Sequence, residues 1–259
     1  MDNDAILQEN LQYWTGRAEG YSAVNQEELR SNREAWRRCL GEEIRTALPD
    51  RETSSIRVLE VGTGPGFFAI LLAEEGYDVT AVDLTPAMLS EARKNAGELA
   101  ERIDFREMNA EALELPEGSF DVVVSRNLTW NLPHPDRAYA EWCRVLKPGG
   151  LLLVFDANWY GYLFREEARL AFEEDRRSTA EQGYADQNLG ENFDVMEDIA
   201  RRVPLSSLRR PDWDLRQLRA LGMETRAEED IWQRVWSEEE KVTFASTPLF
   251  LVSAKKPYK

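Results

Sequence analysis

Cysteine and histidine are scarce in this sequence. Among its 259 residues are two cysteines, Cys39 and Cys143, and a single histidine, His134. Two cysteines provide no disulfide framework, which favours a reducing, cytoplasmic location. One histidine leaves little from which to build a histidine metal site or a Ser-His-Asp triad. We therefore expect neither a metal centre nor a triad hydrolase.

Long hydrophobic runs and excess positive charge are also missing. No window reaches the ~18 uninterrupted apolar residues of a membrane span, and the first residues lack the basic and apolar pattern of a signal peptide. The formal net charge is −16, which repels a phosphate backbone. The densest basic cluster, Arg201-Arg202 with Arg209-Arg210, lies among acidic segments. We therefore expect no membrane partner and no nucleic-acid partner.

Short apolar segments alternate with helical ones from residue 56 onwards. The predicted strands are "IRVLEVG", "YDVTAVD", "IDFREM", "FDVVVSRN", "LLLVFDA", a segment around "ETRAEEDI", and "TPLFLVSAKK". Such alternation predicts an α/β fold with a parallel sheet and helices on both faces. We expect seven strands, mostly parallel, with an antiparallel last strand.

Two segments fall outside this alternation. Residues 1–50 have apolar residues at helical spacing and predict an N-terminal helical arm, interrupted by a loop at "TGRAEGYSAVN". Residues 158–210 break the pattern and predict an inserted helical cap, because such a long interruption is more often a lid than a plain loop. The predicted core is then 51–157 together with 211–259. In the insertion, one helical face carries Phe193, Met196, Ile199, Ala200 and Val203.

A glycine turn follows the first strand in "VLEVGTGPGFFAI". Its glycines stand at 62, 64 and 66, where missing side chains let the backbone turn tightly and approach a ligand. The dinucleotide pattern G-x-G-x-x-G would need glycine at 67, which is phenylalanine here. The turn also lacks the ending of a phosphate-binding P-loop. A purely structural tight turn stays open as an alternative.

The second strand adds an acidic residue, Asp83, 23 positions after Glu60. Neighbouring strands of a doubly wound sheet bring both acids to its carboxyl edge, where such sheets bind ligands. A carboxylate there accepts both hydroxyls of a ribose. The alternative role of helix cap competes with Thr85, which stands before Pro86. The pattern therefore predicts a nucleoside ligand.

These motifs resemble the class I S-adenosylmethionine-dependent methyltransferases, in particular the small-molecule group called type 11. The resemblance covers about residues 10–155 and the last two strands. It rests on the acid before G-x-G-x-G, the acid ending strand two, "NAEALELPEGSFDVVVSRN" and "RVLKPGG". It implies a Rossmann-like fold and the cofactor S-adenosyl-L-methionine, with S-adenosyl-L-homocysteine as the product.

The resemblance also implies a set of cofactor-binding residues, namely Arg17, Tyr21, Glu60, Gly62, Thr63, Gly64, Gly66, Asp83, Leu84, Met88, Asn109, Ala110, Glu111 and Arg126. Glu60 and the glycine backbone would hold the methionyl end, with Arg17 and Tyr21 at its carboxylate. Asp83 would bind the ribose. Position 109 departs from the family, which usually has aspartate there; asparagine still accepts a hydrogen bond but contributes no charge.

The substrate side is less defined than the cofactor side. Residues 125–127 would border the transferable methyl. The predicted substrate wall consists of Asn127, Trp130, Asn131, Asn158, Trp159, Tyr160 and Tyr162. No general base is obvious, and the catalytic residue is unknown, with His134 and Asp156 as candidates. His134 has an alternative reading as part of the turn that starts the next helix.

The predicted activity is methyl transfer to a small-molecule acceptor by in-line displacement, driven mainly by proximity and orientation. Other readings stay open: a cofactor-binding sensor or pseudoenzyme without turnover, or an NAD(P)-dependent oxidoreductase. Phe67 speaks against the oxidoreductase, and no Asn-Pro-Pro-Tyr type motif follows strand four, which disfavours methylation of proteins or nucleic acids. The eight tryptophans leave a homodimer open.

Overall fold

A single seven-stranded sheet organises the chain, with the strand order β3-β2-β1-β4-β5-β7-β6. The computed structural model describes residues 3–184 and 193–258. The strands are β1 (Arg57–Val61), β2 (Asp78–Asp83), β3 (Ile103–Glu107), β4 (Phe120–Arg126), β5 (Leu146–Asp156), β6 (Glu224–Glu228) and β7 (Phe250–Lys255). β7 pairs antiparallel with β5 and β6, whereas the other pairs are parallel. The predicted Rossmann-like α/β fold is confirmed.

Helices cover both faces of this sheet. Their bounds are α1 (Asn3–Ser31), α2 (Arg33–Ala47), α3 (Phe67–Glu74), α4 (Pro86–Ala96), α5 (Pro135–Val145), α6 (Glu166–Glu181), α7 (Phe193–Ala200), α8 (Asp212–Ala220), α9 (Trp232–Val235) and α10 (Glu238–Thr243). Among the helices so described, none is long and apolar enough to cross a membrane.

The sheet changes direction of winding between β1 and β4. β1 pairs with β2 on one side and with β4 on the other, so the connections leave toward opposite faces. A crevice therefore opens at the carboxyl ends of these two strands, which is where open α/β sheets bind ligands. The glycine turn, residue 83 and residues 126–127 all lie at this edge.

The main hydrophobic core joins α2 and α3 to one face of the sheet. Trp36 of α2 is fully buried and its ring contacts Phe67, Phe68 and Phe155 edge-on, with centroid distances of 5.9, 5.1 and 5.3 Å. Burying side chains of this size contributes about 1.5–3 kcal/mol each. Helix α2 is therefore packed into the core of the sheet domain.

The loop predicted at "TGRAEGYSAVN" was wrong, because α1 continues through it without a break. Gly16 and Gly20 cost about 1 kcal/mol each in a helix interior. Tertiary contacts outweigh this cost. Further along α1, Ser22 and Gln26 hydrogen-bond the side chain of Asn95 on α4, and Leu29 is buried in the main core.

The predicted insertion contains helices α6 and α7, and its residues 185–192 lie outside the described part of the chain. As the helical periodicity predicted, one face of α7 is buried, where Met196, Ile199 and Ala200 join Ile6 and Trp130. The side chain of Phe193, which was predicted for the same face, lies outside the described part of the chain. The domain limits of arm, core and cap stay predictions.

A second helical segment, not predicted, joins β6 to β7. Helices α9 and α10 occupy it. It packs against α6, since the amide of Ser246 donates to Asp175 and the hydroxyl of Thr179 lies 3.5 Å from that of Thr243. The insertion and this connection together cover the carboxyl edge of the sheet.

Candidate active site

The glycine turn requires the glycines that the sequence places there. Gly62, Gly64 and Gly66 have φ of 72°, 52° and 93°, all in the left-handed region that disfavours other residues. At Gly66 a Cβ would lie 3.2 Å from the Cβ of Ala92, so α3 and α4 approach closely here. The turn thereby exposes backbone amides at the sheet edge.

Asp83 holds this turn in place. Its carboxylate accepts hydrogen bonds from the amides of Gly64 and Thr85, each at 2.8 Å. Burial raises its pKa, and these bonds oppose the rise. Thr85 stands at the N-cap of α4, as predicted, but its side chain accepts no capping bond there. Asp83 therefore both shapes the turn and faces the crevice.

Glu60 lies below the glycine turn and does not face the crevice as Asp83 does. Its carboxylate is buried below the turn and accepts from the hydroxyl of Thr63 at 2.6 Å and the amide of Ala69 at 2.7 Å. Burial raises its pKa to about 7. The side chain thus ties the end of β1 to the start of α3 and acts on the crevice through the backbone it positions.

A small cavity of about 110 Å³ lies over the ends of β1, β2 and β4. Most of the residues predicted to bind the cofactor line it: Tyr21, Gly62, Gly64, Asp83, Leu84, Met88, Asn109, Ala110 and Arg126. The structure adds Leu7, Asn10, Leu11 and Trp14 of α1 as a roof. The helical spacing of Leu7, Leu11 and Trp14 was the available signal for this roof.

Five predicted cofactor residues do not line the described cavities: Arg17, Glu60, Thr63, Gly66 and Glu111. Burial raises the pKa of Tyr13 and Tyr160, and nearby Arg17 partly opposes this. Glu111 accepts from the amide of His134 at 2.7 Å and donates its own amide to Asn109 Oδ1 at 2.9 Å. Glu60, Thr63 and Glu111 therefore support the site from behind its surface, whereas Arg17 lies near Tyr13 and Tyr160.

Buried polar atoms without a partner collect around the small cavity. Within the described residues, no hydrogen bond reaches the side-chain amide oxygens of Asn10, Asn127 and Asn131, nor the Nη1 atom of Arg126. A buried polar group left unsatisfied costs about 1–3 kcal/mol. A ligand with hydrogen-bond donors would satisfy the three amide oxygens, and an anionic group on it would satisfy the Arg126 Nη1 atom.

Asn127 also carries backbone strain at this place. Its φ is 53°, in the left-handed region that non-glycine residues rarely adopt. The conformation is held by the bond from its amide to the carbonyl of Phe155 at 2.9 Å and by the indole of Trp130, which donates to the Asn127 carbonyl at 3.0 Å. Strain of this kind clusters at functional sites.

A larger cavity of about 680 Å³ adjoins the small one. Five of the predicted substrate residues line it, namely Asn127, Trp130, Trp159, Tyr160 and Tyr162. Asn131 lines the small cavity, and Asn158 lines neither described cavity. Asn158 instead exchanges two hydrogen bonds with the backbone of Arg210, at 3.0 and 3.1 Å, and closes the base of the insertion.

Sequence reasoning missed much of the far wall of this cavity. Residues of the β6–β7 connection form it, including Trp236, Glu239, Glu240 and Phe244. The pattern "SEEE" was the available signal, since Ser237 and Glu240 form a capping box that starts α10. Nothing in the pattern said that this helix would face the crevice.

Arg126 stands where the two cavities meet. Among the described residues, Trp14, Tyr21, Arg126 and Asn127 line both cavities. The guanidinium lies 4.2 Å from the ring centre of Phe67 and 4.9 Å from that of Trp36. It forms an ion pair with Glu28 of α1. A ligand in either cavity therefore meets the same side chain.

The two candidates for catalysis lie elsewhere. Asp156 is fully buried and accepts from Arg210 at 2.6 Å, Thr129 at 2.5 Å and the amide of Trp130 at 3.1 Å. His134 stands at the N-cap of α5. Neither side chain lines the described cavities. Within 3–184 and 193–258, no group of three or more His, Cys, Asp or Glu residues could hold a metal ion.

Part of this chain is similar to known proteins. The methyltransferase domain family matches residues 59–154. A ubiquinone/menaquinone biosynthesis C-methyltransferase of Methylobacterium nodulans is 41% identical over 126 residues, 47% of this chain and 48% of the relative. A ubiquinone biosynthesis O-methyltransferase of Xanthomonas oryzae pv. oryzae is 34% identical over 108 residues, 41% of this chain and 45% of the relative. The chain thus spans about half the length of these relatives.

Solved structures share the fold over most of the chain. An S-adenosylmethionine dependent methyltransferase from Mesorhizobium loti superposes with a TM-score of 0.56 at 20% sequence identity. The match covers 82% of this chain and 95% of that one. At this level of identity the likeness establishes the architecture alone.

Proposed function

Because residues 59–154 match the methyltransferase domain family, we propose that this chain transfers a methyl group from S-adenosylmethionine to a small-molecule acceptor. The observation that carries the proposal is the pair of adjoining cavities. The small one has Asp83 and unsatisfied polar atoms, the large one has aromatic walls, and Arg126 and Asn127 line both. The relatives are named as methyltransferases, which agrees with this division into cofactor and acceptor sides.

The residues that line the small cavity match the proposed cofactor in chemistry. At about 110 Å³ this cavity is smaller than the ~300–1,000 Å³ of ordinary ligand sites, so the cofactor would extend into the adjoining space beside Arg126 and Asn127. Asp83 would accept the ribose hydroxyls, while Leu84, Met88, Asn109 and Ala110 would contact the adenine. The unsatisfied Arg126 Nη1 suits a carboxylate, and the unsatisfied amide oxygens of Asn10 and Asn131 suit an ammonium. We therefore assign the methionyl carboxylate to Arg126 rather than to Arg17.

The protein's own contribution would be to hold the acceptor in the right position relative to the methyl group. The cofactor supplies a methyl group on a positively charged sulfur, already activated for displacement. The shared wall of Arg126 and Asn127 would set where the acceptor stands relative to it. Orientation alone supplies up to about 7–11 kcal/mol of a barrier in favourable geometry. An acceptor of drug-like size suits a cavity of about 680 Å³ with apolar walls.

The location proposed with this function is the cytoplasm. Cys39 and Cys143 are both free and buried. Burial raises the pKa of each thiol to about 12, which keeps both protonated and unreactive.

Calorimetric titration tests the proposal. S-Adenosylmethionine and S-adenosylhomocysteine are titrated into the wild type, Asp83→Ala and Asp78→Ala. Asp78 begins the same strand, is exposed, and lines neither described cavity. We expect binding to the wild type and to Asp78→Ala, and at least about tenfold weaker binding, 1.4 kcal/mol, to Asp83→Ala.

The same titration separates the alternatives. A folded wild type that binds neither nucleoside contradicts the proposal, and binding of NADH or NADPH that depends on Asp83 favours an oxidoreductase. Nucleoside binding without methyl transfer to any acceptor favours a sensor.

A further inference from the structure

The larger cavity has a chemical character that the family match does not account for. Of its lining residues, Arg126, Asn127 and Trp130 lie within residues 59–154, and the others lie outside that segment. Its specificity therefore comes from α1, the insertion and the β6–β7 connection. We propose that this cavity takes a cationic acceptor, an amine that enters as its ammonium form. The inference rests on the proposed methyl transfer and names the acceptor class.

Aromatic rings make up much of the wall. Phe244 meets Trp159 and Trp236 with centroid distances of 5.6 and 5.9 Å. Tyr162 and Phe172 stack at 4.1 Å, and the Phe172 ring already holds the Arg176 guanidinium at 4.8 Å. Trp130 and Tyr160 pack at 4.8 Å on another side. Aromatic faces attract an ammonium group through their quadrupole, more strongly when the site is desolvated.

The charged residues of the lining have a negative surplus. Arg126 forms an ion pair with Glu28, and Glu27 forms one with the exposed Arg30. Burial raises the pKa of Asp175, and the positive charge of Arg176 opposes this rise. The remaining lining carboxylates are Glu239 and Glu240.

Among the described residues, neither of these two carboxylates has a cationic side chain within the 4 Å of an ion pair, although Glu240 acts on the pKa of Arg126 from a longer distance. Glu240 accepts from neutral donors, Asn32 Nδ2 at 2.6 Å and the Ser237 amide at 2.8 Å. A bound cation would supply the missing charge, whereas an anion would be repelled by both groups.

Asn127 adds a polar contact at the junction with the cofactor cavity. Its buried side-chain oxygen has no hydrogen-bond donor among the described residues and lines both cavities. An amine N–H would satisfy that oxygen and so be held at the boundary between the two ligands. The strained backbone of Asn127 fixes where this contact stands.

The transfer balances without any further reactant. The ammonium acceptor first releases one proton to water, which restores the nitrogen lone pair. That lone pair forms the new C–N bond as the methyl–sulfur bond breaks, and the bonding pair remains on sulfur as a neutral thioether. The positive charge passes from sulfur to nitrogen, so the surplus carboxylates and aromatic faces also stabilise the product.

Three probes of similar shape test the charge preference. Choline and 3,3-dimethylbutan-1-ol have the same shape, with a cationic trimethylammonium end in the first and a neutral tert-butyl end in the second. The third probe, 3,3-dimethylbutanoate, keeps the tert-butyl end and carries a carboxylate at the opposite end. Each is titrated calorimetrically at fixed ionic strength into the wild type, with and without S-adenosylhomocysteine. We expect choline to bind at least about tenfold more tightly than the other two. Equal or tighter binding of the neutral or the anionic probe overturns the inference.

Two matched variants locate the effect. Glu239→Gln removes a lining charge, whereas Glu238→Gln removes the charge of its exposed neighbour, which does not line the described cavities. The choline preference falls in the first variant and persists in the second. Equal behaviour of the two variants contradicts the assignment.

The outcome also separates this inference from the proposed function. Wild-type protein that binds S-adenosylhomocysteine but has no preference for choline overturns the acceptor class alone. A preference for choline in protein that binds no nucleoside overturns the methyl transfer and leaves the cavity as a cation site.

Discussion

Arg126 at the end of β4, half-buried, and Glu28 on α1, buried, form an ion pair at the junction of the two cavities. Glu28 also accepts from the indole of Trp36 at 3.0 Å, and burial raises its pKa against the effect of Arg126. The pair joins a residue inside the family segment to one outside it. It therefore links the arm to the cofactor side of the site.

Glu28→Gln should be destabilising. The variant removes the ion-pair partner of the Arg126 guanidinium, whose side chain is 14% exposed, so we expect a loss of about 1–3 kcal/mol, less than in a fully buried pair. Glu27→Gln is the matched control, because Glu27 pairs with Arg30 on the exposed side of the same helix. Urea denaturation of the three proteins measures the free energy of unfolding. Similar midpoints for all three would mean that the ion pair contributes nothing.

Arg210→Met should also destabilise the fold severely. Arg210, Asp156 and Asp214 are fully buried, and the guanidinium bridges the two carboxylates. Its removal leaves two like charges together in the core, so we expect a loss of at least about 3–5 kcal/mol.

Arg209→Met is the control for this variant. Its neighbouring guanidinium is exposed and lies 3.7 Å from Glu167, so we expect no measurable change. Thermal unfolding followed by circular dichroism compares the two variants. If Arg210→Met unfolds at the wild-type temperature, the network has no structural role.

Glu60 should make stability depend on pH. Burial raises its pKa from 4.5 to about 7, so between these values the folded state binds more protons than the unfolded state. The free energy of unfolding then falls as pH rises through this window, by up to about 1.4 kcal/mol per unit. Glu60→Gln removes the titration, so its stability relative to the wild type should rise across the same window.

Urea denaturation at a series of pH values from 4.5 to 7.5 measures this difference. Glu107→Gln at the end of β3 is the control, since its carboxyl is exposed. The prediction fails if the wild type and Glu60→Gln change in parallel with pH.

Gly66→Ala should cost more than Gly76→Ala. Both glycines have a left-handed backbone, with φ of 93° and 89°, so alanine brings strain of about 1–2 kcal/mol at either position. At Gly66 the new Cβ also meets Ala92 at 3.2 Å, whereas at Gly76 nothing lies within 4 Å. Overpacking then adds about 1 kcal/mol or more at Gly66. Equal losses in chemical denaturation would mean that α4 moves aside freely.

Local patterns were sufficient for the sheet and for the turn. Strand periodicity predicted each strand, because alternating and continuous apolar runs depend on neighbours in sequence. The glycines at 62, 64 and 66 predicted a tight turn for the same reason. The placement of Asp83 followed from topology, since adjacent parallel strands end at one edge.

Contacts between distant segments decided what local patterns could not. The helix through Gly16 and Gly20 forms because its neighbours are buried against α4 and the core, although glycine locally favours a break. Asp156 ends its strand as predicted. Its carboxylate, however, accepts a hydrogen bond from Arg210, 54 positions later, and belongs to a buried network that does not line the cavities. Neither the unbroken α1 nor the Asp156–Arg210 contact can be predicted from a short stretch of sequence.

By itself, the sequence determined the α/β architecture, the glycine turn and the acid that faces it, because each depends on residue spacing within one or two elements. The tertiary structure alone decided which side chains share a cavity. Arg126 meets Glu28, and the walls from α1, α6 and α10 enclose one space with aromatic faces and surplus negative charge. Those properties arise from packing between segments far apart in the chain, and desolvation there sets how strongly each charge acts.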